Sequence, residues 1–132
     1  HWIGEDMSVA GNMLAGPQVI SETVRTMRER ADLPLPRRLI AAMRAGERAG
    51  GDKRGKQSAA ILIYGDQDYS ELDLRVDDHV EPLIELSRLE RVSREHWTHF
   101  RKFLATRDDP AGTLNRAELE AGIERSLAAE PS

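Results

Sequence analysis

Apolar residues recur along the chain with two different periods, and the alternation between those periods orders the predicted elements. Met7-Ser-Val-Ala10 is a short strand candidate halted by Gly11-Asn12. Beyond Gly16 and Pro17, residues Val19, Ile20, Thr23, Val24 and Met27 return at helical spacing, while Arg25, Arg28, Glu29 and Arg30 take the opposite face. Proline suits the start of that helix, where the amide it lacks would have no partner. Pro34 and Pro36 lead into a second helix with Leu39, Ile40 and Met43 as its buried stripe, and Gly50-Gly51 stops it. The run from Ser58 to Tyr64 holds only small or apolar residues before its tyrosine, the pattern of a strand covered on both faces. Gly65-Asp66 and the polar stretch to Ser70 make a hairpin connection, after which Leu72, Leu74 and Val76 alternate with Asp73, Arg75 and Asp77. Pro82 opens the longest helix, with Leu83, Ile84, Leu86, Leu89, Val92, Trp97, Phe100 and Leu104 as its stripe. Asp109-Pro110 and Gly112 form a turn, and Asn115 caps a last helix whose Leu119, Ile123 and Leu127 share one face.

The predicted order is strand, two helices, two strands, two helices, which is an α+β arrangement. Three strands make a poor sheet when one of them needs cover on both sides. Further strands are therefore expected from elsewhere, and the chain reads as half a domain. His1-Trp2-Ile3 is not a start of translation, which fits a piece of a longer polypeptide whose N-terminal half is the expected partner.

Composition narrows the chemistry. In 132 residues, 39% hydrophobic and 32% charged, a single globular domain with a modest core is expected. The net charge of -4, with both signs interleaved, gives no reason to expect nucleic acid or an anionic membrane as partner. The absence of cysteine removes disulfides and thiolate chemistry and fits a reducing, cytoplasmic setting. The longest apolar run is far shorter than the roughly 20 residues that span a bilayer. Neither a cofactor nor a metal is called for.

Three stretches carry candidate chemistry. Gly11-Asn12 follows a strand and precedes a helix, so a backbone amide and the Asn12 side chain could meet an oxyanion, or could simply form a turn. The loop from Gly50 to Ser58 places Asp52, Lys53, Arg54, Lys56 and Gln57 on flexible backbone at a strand's edge, where they could hold a carboxylate or phosphate. It lacks the order and the following helix of a Walker loop. Asp77-Asp78-His79 closes a strand and either tunes a proton site or leaves Asp78 to cap the next helix. His96 and His99 lie three apart on a helix, a spacing that suits a shared metal but is more ordinary for surface residues. Trp97, Phe100 and Phe103 suit a core or subunit contact, so a homo-oligomer is expected.

Val9-Ala-Gly-Asn-Met-Leu-Ala-Gly16, Gly50-Gly-Asp-Lys-Arg-Gly-Lys-Gln-Ser-Ala-Ala60 and Leu72-Asp-Leu-Arg-Val-Asp-Asp-His79 together resemble the C-terminal half of an Ntn-hydrolase-like family catalogued as domain of unknown function ten-twenty-eight. The segment from Phe100 to Pro110 resembles a tail carried by some members. The resemblance implies half of a four-layer αββα sandwich over residues 1–110, with a helical extension over 111–132. It also implies an Ntn-type hydrolase of an amide or related carbonyl. His1 has no hydroxyl or thiol, so the nucleophile would lie on the missing N-terminal half. On that reading Asn12, Asp52 and Asp77 are the catalytic candidates, and Arg54, Lys56 and Gln57 bind the small-molecule substrate. The alternatives are a non-catalytic module of the same fold binding a small anion, and a structural or assembly protein.

Overall fold

The computed structural model describes residues 1–106. Its elements are β1 (Trp2–Ile3), β2 (Ser8–Val9), α1 (Gln18–Glu29), α2 (Leu35–Arg48), β3 (Ala59–Tyr64), β4 (Ser70–Val76) and α3 (Pro82–Thr106). Over the described residues the fold is mixed α+β, with three helices and two separate two-stranded antiparallel sheets, β1–β2 and β3–β4. Pro17 precedes α1 and Pro36 lies in the first turn of α2, where a missing amide is tolerated. The Gly50 and Gly51 amides bond back to the Glu47 and Gly46 carbonyls at 3.1 and 3.0 Å, closing the end of α2. Among the described residues no helix is long and apolar enough to cross a membrane.

The core is one-sided. Ile61 and Val76 on the hairpin meet Ile40 of α2 and Leu83 and Leu86 of α3, with Leu72 and Leu74 packed around them. Leu86 is fully buried. The alternation in β4 is realised, since Leu72, Leu74 and Val76 turn inward while Asp73 and Arg75 face out. Strand β3 departs from expectation. It is not covered on both faces, because Ala60, Leu62 and Tyr64 lie on the outer side, with Leu62 55% and Tyr64 59% exposed. The small residues that made the run look uniformly buried conceal an ordinary period of two. The register shifts between Ile63 and Tyr64, so the last pair of the hairpin is Tyr64 with Ser70.

The α+β class expected from sequence is realised, but the described residues form no closed four-layer αββα sandwich. Helices α2 and α3 pack on one face of β3–β4, and α1 packs on α2 and beside β2. The stripe expected along α3 is also corrected. Leu83, Leu86 and Leu89 face the core, whereas Ile84, Val92 and Trp97 are exposed. Ile84 is turned away by the helical phase, and length explains the distal part: 25 residues of helix run for about 37 Å, while the strands beneath extend for only about 20 Å. The distal half clusters its rings instead, with Trp97 edge-on to Phe100 at 5.7 Å between centroids. The Asp109-Pro110 turn, the helix predicted after Asn115 and the whole 111–132 extension lie outside the described residues.

Candidate functional site

The 50–58 loop is held by its neighbours rather than left free. The Ala15 amide donates to the Gly51 carbonyl at 2.8 Å, and the Lys53 amide donates to the Met13 carbonyl at 2.7 Å. These two bonds bridge Leu14 to Asp52, so the segment before α1 and the segment after α2 form one clasp. At its far end the loop is tied to the residues before α3, where the His79 amide donates to the Gln57 carbonyl at 3.0 Å.

Two ion-pair groups organise the side chains between those ties. Asp52 accepts the Arg54 amide at 2.7 Å and the Arg54 Nε and Nη2 at 3.0 and 2.7 Å. The guanidinium, helped by the Arg54 amide, holds the Asp52 carboxyl down at about 2, and Asp52 in turn pushes the Arg54 value up. Lys56 Nζ donates to both Glu81 carboxylate oxygens at 2.7 Å and reaches Glu47 at 3.5 Å. The bond to Glu81 is the first cause of the raised Lys56 value.

All of these groups except Glu81 rim a cavity of about 530 Å³ between β2, α1, α2 and β3. Its floor is apolar, with Leu14, Val19, Ile20, Met43 and Leu83. Its rim carries Asp52, Arg54, Lys56, Gln57, Ser58 and Glu47. Four of the six site residues expected from sequence thus share one cavity. The other two stand elsewhere: Asn12 is exposed just before Met13, which has φ +58°, and Asp77 is exposed at the end of β4. Neither lines the cavity.

Glu47 and Glu81 were invisible to sequence reasoning. Glu81 lies 25 residues from Lys56, and no spacing rule joins a loop lysine to that position. No side-chain bond from Asp78 to the first turn of α3 is found among the described residues. Asp78 sits at φ +47°, and His79 Nδ1 accepts the Glu81 amide at 2.9 Å just before α3. Among the described residues no three histidine or carboxylate groups gather as a metal site would require, and His96 lies against Phe100 instead.

Comparison with known proteins adds one finding. A family model described as "Family of unknown function (DUF1028)" matches residues 1–86. No curated protein and no solved structure matches. The match covers the N-terminal part of the chain, about 65% of it, and ends inside α3 at Leu86. It overturns the placement of residues 1–110 as the C-terminal half of an Ntn-hydrolase-like domain, and no Ntn-hydrolase fold is supported. The matched region holds the hairpin, the clasp and the cavity, whereas the Phe100–Pro110 segment falls outside it.

Proposed function

The chain belongs to the DUF1028 family of unknown function, and on that premise we propose that it binds a small amphipathic molecule in the cavity beside the 50–58 loop. The observation that carries this reading is the gathering of Asp52, Arg54, Lys56 and Gln57 above one apolar floor. Arg54 is already oriented by Asp52, yet its side chain is 63% exposed, so an anion can reach it without any charge being uncovered. At the other end of the rim one lysine is shared by two glutamates, Glu47 and Glu81, which favours a hydrogen-bond donor there. The preferred ligand carries a carboxylate toward Arg54, an amine or amide N–H toward Glu47, and an apolar body over Leu14 and Met43.

Hydrolysis of an amide or related carbonyl in such a ligand is a second reading. It is favoured by the clasp, which ties the residues next to Asn12 to the loop. N-acetyl-leucine has each feature of the preferred ligand and serves as the probe, followed by amide NMR shifts and by release of acetate. Saturable shifts over Asp52–Ala59 are expected, with Arg54→Gln weakening them by about tenfold, the worth of one charge-assisted contact. Shifts scattered over the surface and indifferent to Arg54→Gln would sink the binding reading. Release of acetate decides between the two readings.

A further inference from the structure

The opposite side of α2 carries a second cleft with a different charge pattern. It runs between α2 and α3, has a volume of about 610 Å³, and is lined by five arginines, Arg37, Arg44, Arg88, Arg91 and Arg94, with one glutamate, Glu90. The spacing is a consequence of helix geometry. Arg37 and Arg44 lie two turns apart on α2, and Arg88, Arg91 and Arg94 lie three apart on α3, so each set shares a face turned toward the same gap. The concentration of positive charge is local, since the whole chain has a net charge of -4.

Part of this charge is matched within the protein. Arg88 donates to Glu85 at 2.8 Å, and Arg94 lies 3.3 Å from Glu90, whose side chain is only 5% exposed. Glu90 therefore fixes Arg94 against the cleft wall, because a buried carboxylate needs its cation close by. Arg44 and Arg91 make no ion pair among the described residues, and they line the cleft from α2 and α3 respectively. Arg44 also borders a neighbouring depression with Arg48, Glu29 and Arg30, the last of which is paired with Asp32. Like charges three residues apart on one helix face repel, and a bound polyanion relieves that repulsion.

We infer that the α2–α3 cleft is a binding site for a di- or triphosphate group, distinct from the loop cavity. Guanidinium forks match phosphate oxygens in pairs, and arginines on both walls can clasp an anion from two sides. Ile40 and Ile84 at the cleft offer apolar contact to the remainder of a phosphorylated metabolite.

Inorganic pyrophosphate is the probe, titrated calorimetrically into the full chain, with orthophosphate and sulfate as comparators. Saturable binding is expected, tighter for pyrophosphate than for either comparator and weakening steeply with salt. Arg44→Gln with Arg91→Gln is expected to weaken it at least about tenfold, as loss of charge-assisted contacts requires. The Arg44→Lys with Arg91→Lys pair keeps the charge but not the forks, so it guards against misfolding and is expected to lose less. Arg75→Gln, on the outer face of the hairpin, removes one charge elsewhere and leaves affinity intact. Equal loss in Arg75→Gln, no loss in the cleft variants, or loss confined to Arg54→Gln would each overturn the assignment. The last outcome places the anion in the loop cavity instead.

Discussion

Gly50 is the position where a single methyl group tests how the site is built. Its φ of +127° belongs to a region that residues with a side chain rarely occupy, and a Cβ there would lie 2.7 Å from the Cβ of Ala15. An alanine Cβ is fixed to its backbone, so relief requires the 13–15 segment to lift away. That segment holds the loop through the Ala15-to-Gly51 and Lys53-to-Met13 bonds. Backbone strain of about 1–3 kcal/mol plus one weakened hydrogen bond of about 0.5–1.5 kcal/mol gives an expected cost near 2–4 kcal/mol for Gly50→Ala. Gly55 provides the comparison: its φ is +96° but nothing lies within 4 Å of an added methyl, so Gly55→Ala should show the strain alone. Combining Gly50→Ala with Ala15→Gly removes the collision but not the strain, and should recover about 1 kcal/mol relative to the summed single changes. Urea unfolding of the four variants reads these differences directly. If Gly50→Ala costs no more than Gly55→Ala, or if Ala15→Gly recovers nothing, the clasp does not set the loop's position.

Three further expectations concern the core and the rim. Leu86→Ala should cost about 2–5 kcal/mol in urea unfolding, since the side chain is fully buried, whereas Leu62→Ala on the outer face should stay within about 1 kcal/mol. Equal losses would mean that the hairpin is covered on both sides after all. Asp52 should stay ionised well into acid. Its folded value of about 2 lies below the ordinary aspartate value, so its contribution is present above roughly pH 4 and fades as pH falls through about 2. A side-chain carboxyl NMR titration with its midpoint at the ordinary aspartate value would refute the Arg54 pairing. Lys56 works with the opposite sign: raised by Glu81, it contributes below the ordinary lysine value and is lost as pH climbs through its folded one.

Local signals in the sequence were sufficient for much of this protein. Proline placement, the Gly50-Gly51 stop and the 3.6-residue recurrence of apolar side chains located α1 and α2, because these features act within a turn or two of backbone. The alternation of Leu72, Leu74 and Val76 likewise placed β4 and its inner face. The charged loop was legible as a candidate because its polar residues are concentrated in nine positions, and four of them do share one cavity.

What covers each face could not be read the same way. Strand β3 looked buried on both sides because the outward Ala60 and Leu62 are as apolar as the inward Ile61 and Ile63, and only the position of α2 and α3 shows which side is packed. The overhang of α3 depends on the length of the strands beneath it, a relation between distant segments. Glu47 and Glu81 meet Lys56 only after three elements have docked, and Arg37 and Arg44 face Arg88, Arg91 and Arg94 only once α2 lies along α3. Periodicity fixes how a side chain leaves its own backbone. Which surface it then meets is set by long-range packing, and there the Lys56 pairs with Glu47 and Glu81 and the two clefts flanking α2 originate.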